Sequence, residues 1–580
     1  MTNKILKMFS GCLIGCGIAA ALTSCTDLDV TPESQYTQYP ASSIAQEAQL
    51  ADVYFHLRGT LGRRYMEAQS LASDEWVGIS FDGDYYDSGT YAHTCLHNFS
   101  FTDPSIGWYD DVTAGITKAN QAIFNMGGIE ASPEGTAPAR AMRAYYTWIL
   151  MDSYGDTPIL DHLIQEGEAV ERQPRATVAR WIESELLDII PLLSNKNDVT
   201  TYGKPNKWMA EALLVKLYIN WPVYTASDVT KYDAASYSNE HLQDVVKYCD
   251  EIIESGLFDI AAGSDGYRSK FFPDNTKRDI KDFIYVMPFD ALTQTGFQYC
   301  RPRIWRQGRN DGEGGPGYFG SDIGNSTGGN FSMTPEMSDL MMALSKDDRQ
   351  ENILAGQIYM FDPNTYAKTS TPYKYKGENI VLTKTITLKR YNLDENGNPV
   401  RDENGNIIEI DPVQTNTGKD VNGWSQGYKS VKWFVIASDF SNGRNQSNDL
   451  PIFRYADILL TKAEAITRGA TATLGQTPQS LFNIIRTYAN APTIDHNPSL
   501  QELLDERGRE FFDENWRRND MIRFGTFESN YGFHTTQWLD PLDGQVKAFP
   551  TVRFDKECRI FPIPEGTLNN NTNWKQNDGY

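Results

Sequence analysis

Apolar residues recur at helical spacing through two long parts of the chain and lose that spacing between them. Trp108, Val112, Ile116, Ala119 and Ile123 share one stripe, which Gly127-Gly128 ends. Met142, Tyr145, Tyr146 and Ile149 mark a second helix, expected to start at Pro138 and stop at Gly155. Further helices are expected over 42–61, 177–193, 207–220 and 241–254. The 207–220 stretch is apolar nearly all round, which predicts burial on every side. Near the C-terminus, 454–525 reads as three helices. Ala456, Leu459, Leu460, Ala463 and Ile466 line the first, with Gly469 as its cap. Thr477 is an N-cap before Pro478 at the first helical position, and Leu481, Ile484, Ile485 and Tyr488 form the stripe behind it. Ser499 and Glu502 make a capping box before Leu500, Leu503, Leu504, Phe511 and Phe512. Short connections predict helical pairs, although no strict repeat consensus accompanies them.

Between 256 and 450 Gly, Asn, Asp and Ser become frequent. Nine of the 22 residues from 308 to 329 are glycine, too many for a regular element. Gly312 to Gly317 matches G-x-G-x-x-G, but no apolar strand precedes it, Pro316 interrupts it and no helix follows, so it is not a nucleotide loop. Two Asn-Gly repeats, at 394–401 and 402–409, sit between β-branched flanks over 380–388 and 407–413. They predict a small β insertion. Their oxygen-rich side chains are where a structural Ca2+ would be held, though the glycine position and the missing final glutamate do not fit an EF-hand. No other cofactor is expected.

The chain has 580 residues and a net charge of −23. Residues 1–24 carry Lys4 and Lys7 and no acid, so their removal takes the charge to −25. That balance argues against nucleic acid and against a polybasic membrane contact. The apolar run from Met8 to Leu22 is too short to span stably and has signal-peptide flanks. Leu22-Thr23-Ser24-Cys25 then resembles a bacterial lipobox, which makes Cys25 the expected lipidation site. Cys95, Cys249, Cys300 and Cys558 lie far apart and suggest neither a zinc site nor a disulfide framework.

No catalytic set emerges. His93 and His97 are four apart without an H-E-x-x-H frame, and there is no G-x-S-x-G. Glu506 to Gly525 alternates arginines with carboxylates. We read this as a salt-bridged seam in which Trp516, Arg517 and Asp520 are structural. Binding features are better. Two irregular stretches, 74–110 and 299–319, set flat rings beside Asp, Asn and Arg. A sugar presents an apolar C–H face to an aromatic plane, and its hydroxyls exchange paired hydrogen bonds with such polar groups. The candidate ligand-binding residues are Asp82, Tyr85, Tyr86, Tyr91, Asn98, Arg303, Trp305 and Tyr318, which would form one platform if the two stretches meet. Trp76 and Trp108, beside helical patterns, are expected to pack.

Three motifs carry a family resemblance. Arg454-Tyr-Ala-Asp-Ile-Leu-Leu-Thr-Lys-Ala-Glu464-Ala, the Glu506-Arg507 to Gly525 segment, and Phe561-Pro-Ile-Pro564 with the Asn573 to Tyr580 ending resemble SusD/RagB outer-membrane lipoproteins, in the same order. Arg143 to Pro158 resembles a fourth family segment. The resemblance implies a mostly α fold: a tetratricopeptide-like scaffold of helical pairs with a loop-rich region and small β insertions. It implies a signal peptide over 1–24, a lipidated tether over 25–40 and one domain over 41–580. Within that domain the scaffold would occupy 41–255 and 451–525, the loop-rich ligand-binding insert 256–450, and an irregular tail 526–580. It further implies a non-enzymatic protein on the outer membrane of a Bacteroidetes-type bacterium. Such a protein would capture oligosaccharides and pass them to a SusC-like TonB-dependent transporter. A peptide-binding RagB-like protein and a surface glycan-degrading enzyme are the alternatives.

Overall fold

The structure is a computed structural model that describes residues 42–79, 90–306, 315–386, 388–391, 394–396, 400–406, 408–413, 421–529, 537–539, 546–548 and 553–580. The expected signal peptide, Cys25 and the tether lie outside the described residues.

The fold is mostly α. Helices α1 (Ser43–Tyr54), α2 (Tyr109–Asn125), α3 (Pro133–Tyr154), α4 (Arg175–Ile189), α5 (Lys207–Ile219) and α6 (Leu242–Glu254) follow in the first half. Helices α7 (Tyr455–Thr467), α8 (Pro478–Tyr488), α9 (Leu500–Glu510) and α10 (Arg517–Phe524) follow in the second. Neighbours pack in a row: α2 on α3, α3 on α4, α5 on α6, α6 on α7, and α7 on α8 and α9. The long gap in sequence between α6 and α7 therefore closes in space. Every residue of α5 after Lys207 is buried, as its all-round apolar pattern requires.

Local chemistry sets the helix ends. Asn206 accepts from the Met209 amide at the start of α5, and Thr477 and Ser499 form reciprocal capping boxes at α8 and α9. Gly155 ends α3 at φ +77°, a conformation that a Cβ would strain. Helix α3 begins at Pro133 rather than at Pro138, which sits inside it. Pro138 removes one donor, and the carbonyl it leaves belongs to exposed Glu134.

The third helix expected in 454–525 is in fact two. After α9 the chain turns through Asp513 at φ +63° and Asn515 at φ +72°, and only then enters α10. Asp and Asn tolerate this left-handed region better than most residues. Buried bonds hold the turn: Asp513 N–H donates to Glu75 Oε1 at 2.9 Å, Arg303 Nε donates to Asp513 Oδ1, and Tyr299 Oη donates to Asn515 Oδ1 at 3.2 Å.

The first helix of that region starts at Tyr455, because 450–454 is a strand. Phe283–Met287 (β2, after β1 at Trp76–Gly78) pairs antiparallel with Leu450–Arg454 (β4, after β3 at Phe331–Met333). Both strands are wholly buried. They form the gateway through which the chain leaves the scaffold for the insert and returns. The insert has its own apolar core, built on Trp305, Tyr318, Phe319, Phe361, Tyr375 and Phe434. The expected β insertion appears as Leu388–Tyr391 paired with Glu409–Val413, although the first strand begins where the predicted flank ended. Among the described residues Cys95, Cys249, Cys300 and Cys558 form no disulfide.

The alternating charges form a buried ion network. Arg454 is 2% exposed and binds Glu514 through Nε at 2.8 Å, and Asp282 and Glu510 through one terminal nitrogen at 2.7 and 2.8 Å. Lys270 meets Asp282 at 2.8 Å and Lys432 meets Glu514 at 2.6 Å. Arg349 reaches Glu506 at 2.8 Å and Glu510 at 3.2 Å. A second set joins α7, α9 and α10: Asp520 to Arg507 at 2.8 Å and to Arg523 at 2.7 Å, and Arg523 to Glu464 at 2.8 Å. Each charge has a partner, which offsets desolvation. Removing one partner of such a pair costs about 3–5 kcal/mol.

Candidate functional site

Strand β1 pairs antiparallel with β3, matching Trp76 to Met333 and Gly78 to Phe331. The Ile79 amide continues the ladder to the Asn330 carbonyl at 2.8 Å, and the Met333 amide donates to the Tyr428 carbonyl at 3.0 Å. Lys429 fastens the same corner. Its Nζ donates to the carbonyls of Gly329 and Phe331 and to Ser332 Oγ, at 2.8, 2.5 and 2.9 Å. It is fully buried, and burial pushes its pKa down to about 7. Gly329 leaves no room for a Cβ, which would fall 2.5 Å from the Arg306 amide nitrogen.

The ends of both irregular stretches therefore lie against each other. Ile79 and Arg306, where 80–89 and 307–314 begin, sit on either side of Asn330 and Gly329, and Val421 opens the segment that carries Trp424 and Tyr428. Trp424 and Tyr428 are half-buried, as is Arg306. The Arg306 guanidinium lies 5.9 Å from the Trp424 ring, and Trp424 crosses Trp305 edge-on at 5.9 Å. This patch offers partly open ring faces next to a cation, a surface on which the apolar face of a ring-shaped ligand can stack.

The structure sorts the sequence candidates. Trp305 is fully buried, with Nε1 donating to Ser425 Oγ at 3.1 Å and its ring among Tyr373, Tyr375 and Trp424. Tyr318 is also fully buried, and its hydroxyl accepts from the Trp305 amide at 3.2 Å. Both rings were expected at the surface. They instead form the floor of the insert, because a region with few helices needs large side chains to close a core. Arg303 is 1% exposed and committed to Asp513, the Tyr299 carbonyl and Ser70 Oγ. Tyr91 is buried, donates to Glu67 at 3.2 Å and meets Phe331 edge-on at 5.0 Å. Arg303 also faces Phe331, at 5.2 Å, so Tyr91 and Arg303 do come together, but inside the protein. Asn98 is half-buried between His97, which stacks on Phe527, and Phe99, which meets Phe561, so it belongs to the C-terminal side. Asp82, Tyr85 and Tyr86 lie outside the described residues. Trp76 and Trp108 are buried, as expected.

Sequence reasoning passed over Trp424 and Tyr428. Their signal was there: two large rings in Asn422-Gly-Trp424-Ser-Gln-Gly-Tyr428, a run too rich in Gly, Asn and Ser to be a core helix.

Glu75 stands beneath this corner, fully buried beside Asp513. Burial, then the nearby Asp513 carboxylate, pushes its pKa up to about 8. Among the described residues its Oε2 has no hydrogen-bond partner.

Comparison with known proteins matches residues 300–580 to the model of the SusD family. The starch-binding protein SusD of Bacteroides thetaiotaomicron is 24% identical over 615 residues, covering the whole of both chains. Among solved structures, a laminarin-binding SusD-like protein superposes with a TM-score of 0.62 at 17% identity, over 93% of this chain and 100% of its own. A SusD homolog from Bacteroides thetaiotaomicron superposes with a TM-score of 0.65 at 16% identity, over 93% and 98%.

Proposed function

Since this chain belongs to the SusD family, we infer that it is a surface glycan-binding protein that captures oligosaccharides without cleaving them. The observation that carries this reading is the half-buried patch of Trp424, Tyr428 and Arg306 where the ends of the irregular stretches meet. The relatives support it, since one is named for binding starch and another for binding laminarin. Tyr85, Tyr86 and Asp82 belong to the same site in this reading, as the chain continues into them from Ile79.

The protein is held on the outer membrane by a lipid on Cys25, and it hands its cargo to a SusC-like TonB-dependent transporter. Among the described residues no helix is long and apolar enough to cross a membrane, and the lipobox-like Leu22–Cys25 supports attachment through a lipid. Affinity electrophoresis against a panel of polysaccharides tests the reading, with product analysis of the bound glycan. Retardation by at least one polysaccharide without new reducing ends is expected. Cleavage, or no retardation by any member of a broad panel, would remove it.

A further inference from the structure

Five lysines are buried among the described residues. Four of them meet a carboxylate: Lys216 meets Asp457, Lys270 meets Asp282, Lys432 meets Glu514 and Lys462 meets Asp250. Lys429 pairs with neutral groups instead. Its Nζ reaches the Gly329 and Phe331 carbonyls at 2.8 and 2.5 Å and Ser332 Oγ at 2.9 Å. A buried cation without a counter-charge is costly, so a specific set of acceptors has to hold it.

The hydrogen bonds of Ser332 decide which form of Lys429 this geometry requires. The Ser332 hydroxyl donates its one proton to the Gln426 carbonyl at 2.9 Å. It has none left for Lys429, so all three contacts at Nζ need a lysine proton. An ammonium has three to give and a neutral amine two. The arrangement is therefore that of the ammonium, although burial pushes the Lys429 pKa down to about 7. Loss of one proton leaves one acceptor without its donor. Either the Gly329 or the Phe331 carbonyl is released, or Ser332 turns its hydroxyl to the amine and releases Gln426.

Each release falls on the joint between the two halves of the Trp424 patch. Gly329 and Phe331 belong to the run that backs onto Arg306 and Ile79. Gln426 lies between Trp424 and Tyr428. The bond from the Met333 amide to the Tyr428 carbonyl, at 3.0 Å, crosses the same joint. The neighbours of Lys429 bring few charges to it. The Cys300–Arg303 helix carries Arg301 and Arg303, and Arg303 is bonded to Asp513. Arg306 stands beside Gly329. β3 and the Ile353–Leu354 strand, which pairs with Lys429–Ser430, carry no charge. Glu75, whose carbonyl accepts the Thr334 amide, titrates in the same range, with a pKa of about 8.

We propose that Lys429 is a proton-dependent clamp: its ammonium holds the Trp424–Tyr428 segment against the run that backs onto Arg306, and loss of one proton loosens the patch. Lys429 is a positioning residue, since it is buried beneath the rings. The consequence for binding rests on the patch being the glycan site: affinity falls as pH rises through neutrality.

Hydrogen exchange of the full chain at pH 6 and pH 8.5, corrected for intrinsic rates, reads the clamp without a ligand. Peptides covering 328–333 and 424–429 are expected to lose about tenfold in protection at the higher pH, the effect of one hydrogen bond. Lys429→Met is expected to exchange fast at both pH values. Ser332→Ala leaves Lys429 two acceptors, which a neutral amine satisfies, so its exchange is expected not to change with pH. This second variant answers even if Lys429→Met fails to fold. Equal protection of the wild type at both pH values would overturn the proposal. So would a pH dependence that persists in Ser332→Ala, which would assign the effect to Glu75. Binding is read separately, by affinity electrophoresis in laminarin and in soluble starch at the same two pH values. Weaker retardation at pH 8.5 in the wild type but not in Ser332→Ala is expected, and equal retardation of the wild type would cut the link to binding. Retardation by neither polysaccharide bears on the glycan reading alone, because the exchange measurement decides the clamp.

Discussion

Arg517 and Asp74, 443 positions apart in sequence, meet in a bidentate ion pair, with both nitrogen–oxygen distances at 2.7 Å. Arg517 stands at the start of α10, and Asp74 lies just before β1. Thr334 N–H donates to the Glu75 carbonyl at 3.1 Å, so the same segment is tied to the insert as well. The charged C-terminal segment thus acts on the Trp424 patch from below. It holds the strand from which one irregular stretch begins, without lining the patch itself.

Arg517→Ala should therefore lose stability and keep binding. Asp74 retains 14% of its side-chain exposure, so the cost falls toward the lower end of the buried-pair range, about 3 kcal/mol. Urea denaturation measures it. A variant of unchanged stability that no longer binds glycan would move this segment into the site.

Trp424 and Trp305 should separate function from folding. Aromatic anchors commonly contribute 2 kcal/mol or more, about thirtyfold in affinity. Trp424→Ala should weaken glycan binding at least tenfold with little change in melting temperature. Trp305→Ala should cost about 3–5 kcal/mol of stability, because it empties the floor of the insert. Titration and thermal melts on both variants decide. Equal glycan affinity in Trp424→Ala would take that ring out of the site.

Glu75 should make stability fall with pH. Its folded pKa of about 8 lies above the unfolded value of 4.5, so the folded state holds a proton that the unfolded state has released. The contribution is fully present below pH 4.5 and is lost as pH rises toward 8, at about 1.4 kcal/mol per pH unit within that window. Glu75→Gln keeps the shape and removes the titration. The difference in unfolding free energy between wild type and variant, measured from pH 5 to 8, should change steadily against the wild type. Parallel curves would show that Glu75 is charged in the folded protein.

Cys25→Ala should yield a folded protein that is lost from the membrane fraction, since Leu22–Cys25 resembles a lipobox and lipidation there is the proposed anchor. Fractionation in cells lacking the partner transporter reads it. Normal membrane retention there would rule out lipidation at Cys25.

Much of the fold was legible because helices are local. The stripes at 108–123 and 142–149, the capping boxes at Thr477 and Ser499, and the glycine stops at Gly155 and Gly469 are set by residues a few positions apart. Charge alternation in 506–525 also announced an ion network, since arginines and carboxylates at that density in an apolar stripe must pair if buried. Sequence alone did not reveal where the partners stood. Glu75, Asp282, Arg303 and Arg349 come from distant segments, and the bonds of Glu75 and Arg303 to Asp513 hold the turn that breaks the expected third helix. The half-buried patch around Trp424 was obscured for the same reason. Trp305 and Trp424 both sit in glycine-rich, aperiodic sequence, so nothing local distinguishes a ring that faces inward from one that faces outward. Burial decides that, and burial belongs to the tertiary structure: Tyr318, Tyr373 and Tyr375 close over Trp305, whereas Trp424 remains at the edge of the same cluster, half in water.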